Sequence, residues 1–126
     1  MKYAVLSDIH GNIVALEVVL EDINREEVDG VIVLGDVVMF GPAPYEVLNK
    51  IKQINPACWI SGNTDLWFED MRELIPKTEM EQELYAYYRF ANQRILEKDV
   101  SDLTAMPRSL PPLSLHCSQS ESVGGR

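Results

Sequence analysis

Three short apolar runs, each stopped abruptly by glycine and a carboxylate or amide, constrain this chain more than any other feature. The first, at residues 3–6, runs into Ser7, Asp8, His10 and Gly11. The second, at 31–34, stops at Gly35-Asp36, and the third, at 57–60, at Ser61-Gly62-Asn63. Runs this short, bounded by turn residues, suit buried strands. Between the first two, Ile13, Leu16, Val19, Leu20 and Ile23 fall at helical spacing, with Glu17, Glu21 and Asp22 among them, giving a helix that ends near Glu27. Between the second and third, Pro42 and Pro44 make a rigid loop. Pro44 then opens a helix to about residue 53, with Val47, Leu48 and Ile51 inward. Strand alternating with helix predicts an α/β fold with a parallel sheet. Right-handed crossovers would bring all three strand ends to one edge, where open α/β sheets bind ligands.

The second half reads differently. Residues 66–74 predict a short helix closed by Pro76, and residues 79 to about 98 a long one, with Leu84, Tyr87, Tyr88, Ala91, Ile95 and Leu96 available to pack. Pro107, Pro111 and Pro112 break up the segment beyond it. A further strand is expected at 113–116, before a small, polar tail expected to be loose. Trp59 and Trp67, flanking the Gly62-Asn63 loop, and Tyr85, Tyr87 and Tyr88 are expected mainly to pack. The 126 residues suit one domain, and a net charge of -9 disfavours nucleic acid and anionic membrane as partners. The short N-terminal apolar run does not read as a signal peptide, and no uncharged stretch reaches membrane-spanning length, so a cytoplasmic location is expected. Cys58 and Cys117 form no CxxC and are expected to be incidental thiols of a reducing compartment.

Asp8 and His10 follow the first strand, Asp36 the second, and Asn63 and Asp65 the third. Each group has a neighbouring glycine that allows a sharp turn. Taken singly, each has an ordinary reading: Asn12 or Asp65 as a helix cap, His10 as a structural histidine. Converging on one edge, the carboxylates would repel unless a cation joined them. Carboxylate, amide and imidazole donors suit manganese, iron, zinc or nickel. An acidic α/β domain with a single magnesium would leave Asp8-x-His10 and Gly62-Asn63 unexplained.

"SDIHGN", "LGDVVMFGPAP" and "SGNTD", in this order, resemble the D-x-H, G-D and G-N-H-D/E blocks of the calcineurin-like metallophosphoesterases. "GDVVMFGP" is also similar to the GD-x-V-x-x-GP block of a prokaryotic branch of small phosphodiesterases. A weaker match, "LSLHC", looks like the strand-His-Gly block of that family. The resemblance implies a four-layer αββα sandwich, of which this chain would carry the βαβαβ half with helices following. It implies two divalent ions, manganese first with iron, zinc or nickel as alternatives. Asp8 and His10 would bind the first, Asp36 would bridge both, and Asn63 and His116 would bind the second. Asn63, with Asn12, would also face the substrate. The implied activity is hydrolysis of a small phosphate mono- or diester by a metal-activated hydroxide, with Asp36 and Asn63 in the catalytic set.

Three departures qualify it. Thr64 stands where many members have a histidine thought to protonate the leaving group. Met39 and Phe40 stand where phosphatase branches carry Asp and Arg. No histidine follows His116, so the terminal G-H-x-H block is missing, and Cys117 replaces the usual glycine. The expectation is an incomplete domain over residues 1–116 and a disordered tail over 117–126. A catalytically impaired fragment acting by metal binding or association is the alternative. An uncovered sheet face would favour a homo-oligomer.

Overall fold

The computed structural model describes residues 1–111. The expected strand at 113–116, His116 and the polar tail lie outside the described residues. The elements are β1 (Tyr3–Leu6), α1 (Ile13–Glu26), β2 (Gly30–Val33), α2 (Pro44–Ile54), β3 (Cys58–Trp59), α3 (Trp67–Asp70), α4 (Glu79–Arg94) and α5 (Glu97–Ala105). The fold is α/β. The strands form a parallel sheet in the order β1-β2-β3.

Register settles where the loops emerge. Leu6 pairs with Val33, and Val33 with Trp59, so the last residues of all three strands sit side by side. The segments after them must leave from one edge. Asn12 starts α1 by accepting the Ala15 amide at 3.0 Å. Pro44 starts α2, where its fixed φ suits a first helical turn and its missing N–H costs nothing. Both helices end in a left-handed residue, Glu27 and Asn55 respectively.

One sheet face and the helices enclose the main core, built on Leu16, Val33, Val47, Leu48, Ile51, Phe68, Ala91 and Leu103. A smaller cluster joins Ile32 and Cys58, with Tyr3, Leu34 and Ala57 against it. Cys58 is not a free thiol, so the expectation of incidental thiols does not hold for it.

The second half differs from its periodicity. The expected helix at 66–74 is helical only over Trp67–Asp70. The expected long helix ends at Arg94, because Ile95 and Leu96 are both extended, and α5 follows. No proline or glycine forces this break. It lets α5 fold back so that Leu103 enters the core and Asp99 reaches Lys52 at 2.7 Å. Tertiary packing here overrides a helical propensity that would have run on. The end of α5 in turn supports the loop after β3. Ser61 donates its amide to the Pro107 carbonyl at 2.8 Å and its hydroxyl to the Leu103 carbonyl at 2.6 Å.

Candidate metal centre

The loops after β1 and β2 stay zipped beyond the strands. The His10 amide donates to the Asp36 carbonyl at 2.9 Å, and that of Gly11 to the Val37 carbonyl at 2.8 Å. Within this zipped segment Asp8, His10 and Asp36 all adopt left-handed backbone, with φ of 55°, 48° and 56°. Asp and His tolerate that region better than most residues, but it is still uncommon. Residues held this way cluster at functional sites, at a cost of about 1–3 kcal/mol each. Here the cost is set against close loop packing. A Cβ on Gly35 would overlap the Gly62 amide, and one on Gly62 would lie 2.5 Å from Asp36 Oδ1.

The His10 ring is positioned from both sides. Nδ1 lies 3.1 Å from the Met39 carbonyl, and Nε2 lies 3.4 Å from Asp8 Oδ1. A carbonyl can only accept, so the bond to Met39 requires the proton on Nδ1. In the neutral ring, Nε2 then presents a lone pair toward the Asp8 carboxylate. Two electron donors facing each other at this distance call for a proton or a cation between them. An imidazole whose far N–H is fixed by a backbone carbonyl is also the usual arrangement of a metal-ligating histidine. Asp8 and His10 are both accessible, with side chains 65% and 31% exposed.

Asp36 is tied to the opposite loop. Its Oδ1 accepts both the Thr64 amide at 2.9 Å and the Thr64 hydroxyl at 2.5 Å. Among the described residues no hydrogen bond engages Oδ2. Thr64 is buried, so the position at which the sequence showed a missing histidine carries a residue that holds Asp36. Asp65 has a different role. Fully buried, it accepts the amides of Asp36 at 2.8 Å, Val37 at 3.1 Å and Gly62 at 2.9 Å, strapping the β2 loop to the β3 loop. Burial raises the Asp65 carboxyl above the ordinary aspartate value and the Asp36 charge adds to this, while the three amides pull the other way.

The remaining expected residues are placed less closely. Asn63 is exposed on the β3 loop. Asn12 spends its side-chain oxygen on the cap of α1, and His116 lies outside the described residues. Among the described residues no three His, Cys, Asp or Glu side chains are gathered closely enough to hold a metal ion. Asp8 and His10 are brought together as a pair, and Asp36 is anchored separately, on Thr64. Two surface grooves, of about 500 and 390 Å³, run along β1 and α1, and neither is lined by His10 or Asp36. Phe40, at the end of the β2 loop, is also left-handed (φ 82°), and its ring meets those of His10, Trp67 and Tyr87.

The profile of the calcineurin-like phosphoesterase family matches residues 1–116. The chain belongs to that family. A metallophosphoesterase from Sphaerobacter thermophilus has a similar structure, with a TM-score of 0.69 and 28% identity over 89% of this chain and 44% of that one. An uncharacterized protein of Methanocaldococcus jannaschii is 40% identical over 62 residues, which are 49% of this chain and 25% of that protein. The chain therefore spans less than half the length of the relatives it matches. Metal-dependent phosphoester hydrolysis is the general chemistry of that family. Among the described residues no helix is long and apolar enough to cross a membrane.

Proposed function

We propose that this calcineurin-like phosphoesterase chain hydrolyses small phosphate mono- or diesters at the rim formed by Asp8, His10, Asp36 and Asn63. The observation that carries this reading is the His10 ring, with its Nδ1 proton given to Met39 and its Nε2 facing Asp8. Asp8 and His10 would hold one divalent ion. Asp36, held through Oδ1 by Thr64, would supply a further carboxylate ligand. Asn63 and His116 would complete a second ion's ligands, with Asn63 also meeting the phosphate. Such ions lower the pKa of bound water and offset charge on the phosphoryl oxygens. The protein's own contribution is orientation: left-handed loops fix the donors, and Thr64 and Asp65 keep the two loops in register.

A nitrogen and oxygen donor set without thiolate suits manganese, iron, zinc or nickel, and manganese is proposed first because the family resemblance points to it. The net charge of -9 favours a small ester, which cations can neutralise locally, over a polyanion. A cytoplasmic setting is part of the same proposal. A second reading is a metal-binding fragment with impaired catalysis. It is favoured by the lack of a three-ligand group among the described residues.

Hydrolysis of a nitrophenyl phosphodiester with added manganese separates the two. Turnover that depends on manganese and disappears in Asp36→Asn supports the hydrolase. Manganese uptake of about one ion per chain with no turnover, by wild type or variant, supports the fragment reading.

A further inference from the structure

Phe40 carries an unused combination of features. It is 39% exposed, yet its ring makes edge contacts with three others: His10 at 5.2 Å, Trp67 at 5.2 Å and Tyr87 at 5.0 Å. These partners come from the β1 loop, α3 and α4, so the ring is clamped from three directions. Its backbone, at φ 82°, lies where bulky residues are genuine outliers. The conformation is locked on either side. The Met39 carbonyl faces His10 Nδ1, and a Cβ on Gly41 would overlap the His10 carbonyl. A ring needed only for packing gains most by burial on an unstrained backbone. This one is held rigid, partly open and directly against the candidate metal-ligating histidine.

We infer that Phe40 is the specificity-determining wall of the site and that it receives a planar aromatic group of the ester, such as a nucleobase or an aryl alcohol. This rests on the phosphoester reading above. A phosphate held beside Asp8 and His10 would lie within reach of the Phe40 ring, whose centroid is 5.2 Å from that of His10. An aromatic substituent gains stacking there, and an alkyl or sugar substituent gains little. Aromatic side chains stack on any base because every base has a π-face, so the wall selects for planarity rather than for one base. With a net charge of -9 the chain favours a mononucleotide-sized ester over a nucleic-acid strand.

The test measures dissociation constants of AMP, ribose 5-phosphate and adenosine by isothermal titration calorimetry of the full chain with manganese present. Stacking of this kind predicts AMP binding about tenfold tighter than ribose 5-phosphate. Phe40→Leu should bring the two to parity by weakening AMP alone, and Phe40→Tyr should restore the preference. Equal binding of AMP and ribose 5-phosphate by the wild type, or a Phe40→Leu variant that weakens both alike, would overturn the wall. Should Phe40→Leu fail to fold, the wild-type ratio and Phe40→Tyr still decide. Asp36→Asn separates the underlying reading. It should weaken both phosphates and leave adenosine unchanged. Phosphate binding indifferent to Asp36 and to manganese would remove the phosphoesterase reading, while adenosine binding lost in Phe40→Leu would still support the wall.

Discussion

Thr64 and Asp65 are adjacent, and both are directed at the β2 loop for different ends. Thr64 places two donors on one oxygen of Asp36, which fixes the carboxylate's direction. Thr64→Val removes the hydroxyl and keeps the amide. It should lower manganese-dependent hydrolysis about tenfold, as loss of a partner behind a metal ligand does. The accompanying loss of stability should be about 1 kcal/mol. Comparing turnover with urea unfolding of the same variant checks both figures. Asp65→Ala strands three amides, that of Val37 buried and those of Asp36 and Gly62 partly buried, and should cost about 3 kcal/mol in urea unfolding. The places of Asp8, His10, Asp36 and Asn63 just beyond strand ends were legible in the sequence, because strand ends can be read from where apolar runs stop. The partnerships of Thr64 and Asp65 were not. They span 28 or 29 residues between two loops, and no local period records such a pairing.

At the scale of elements, α2 and α5 meet through Lys52, which donates to Asp99 at 2.7 Å and to Asp102 at 2.8 Å. Asp99 is buried, so removing its cation leaves a charge with little water. Lys52→Met should destabilise by about 2 kcal/mol, less than at a fully enclosed pair because Lys52 keeps some solvent. Partial burial pulls the Lys52 pKa down, but the hydrogen bonds and charges of Asp102 and Asp99 outweigh it, and the net shift is upward. The folded state therefore holds this proton more tightly than the unfolded one. Its contribution is complete below the ordinary lysine value of 10.5 and is lost as pH rises through the folded value. Alkaline titration of stability should show a loss in wild type that is absent in Lys52→Met. At the start of α4, Thr78 and Glu81 form a reciprocal cap, so Thr78→Ala should cost about 1 kcal/mol in thermal or urea unfolding. The start of this helix at residue 79 was readable from the sequence. The break before α5 was not, because Ile95 and Leu96 are good helix residues that become extended only to let α5 dock.

For the whole molecule, the described sheet ends in an uncovered edge. Among the described residues β1 has a strand partner on one side only, Val5 is 57% exposed, and Val5, Val18 and Val19 line a groove of about 500 Å³ between β1 and α1. An open apolar edge of this kind invites strand pairing. Val5→Lys should reduce self-association in sedimentation velocity, whereas a wild-type chain that stays monomeric as concentration rises would contradict the pairing. The α/β class and the sheet order were legible from the alternation of runs. Legibility declined in the second half, where only packing against the first half decides which segments are helical. The most direct measurement on the site is manganese broadening of the His10 imidazole proton resonances in the NMR spectrum. Broadening at substoichiometric manganese that disappears in Asp8→Asn is expected. A His10 signal left sharp by excess manganese, or broadened equally in Asp8→Asn, would contradict a metal ion held between these two side chains.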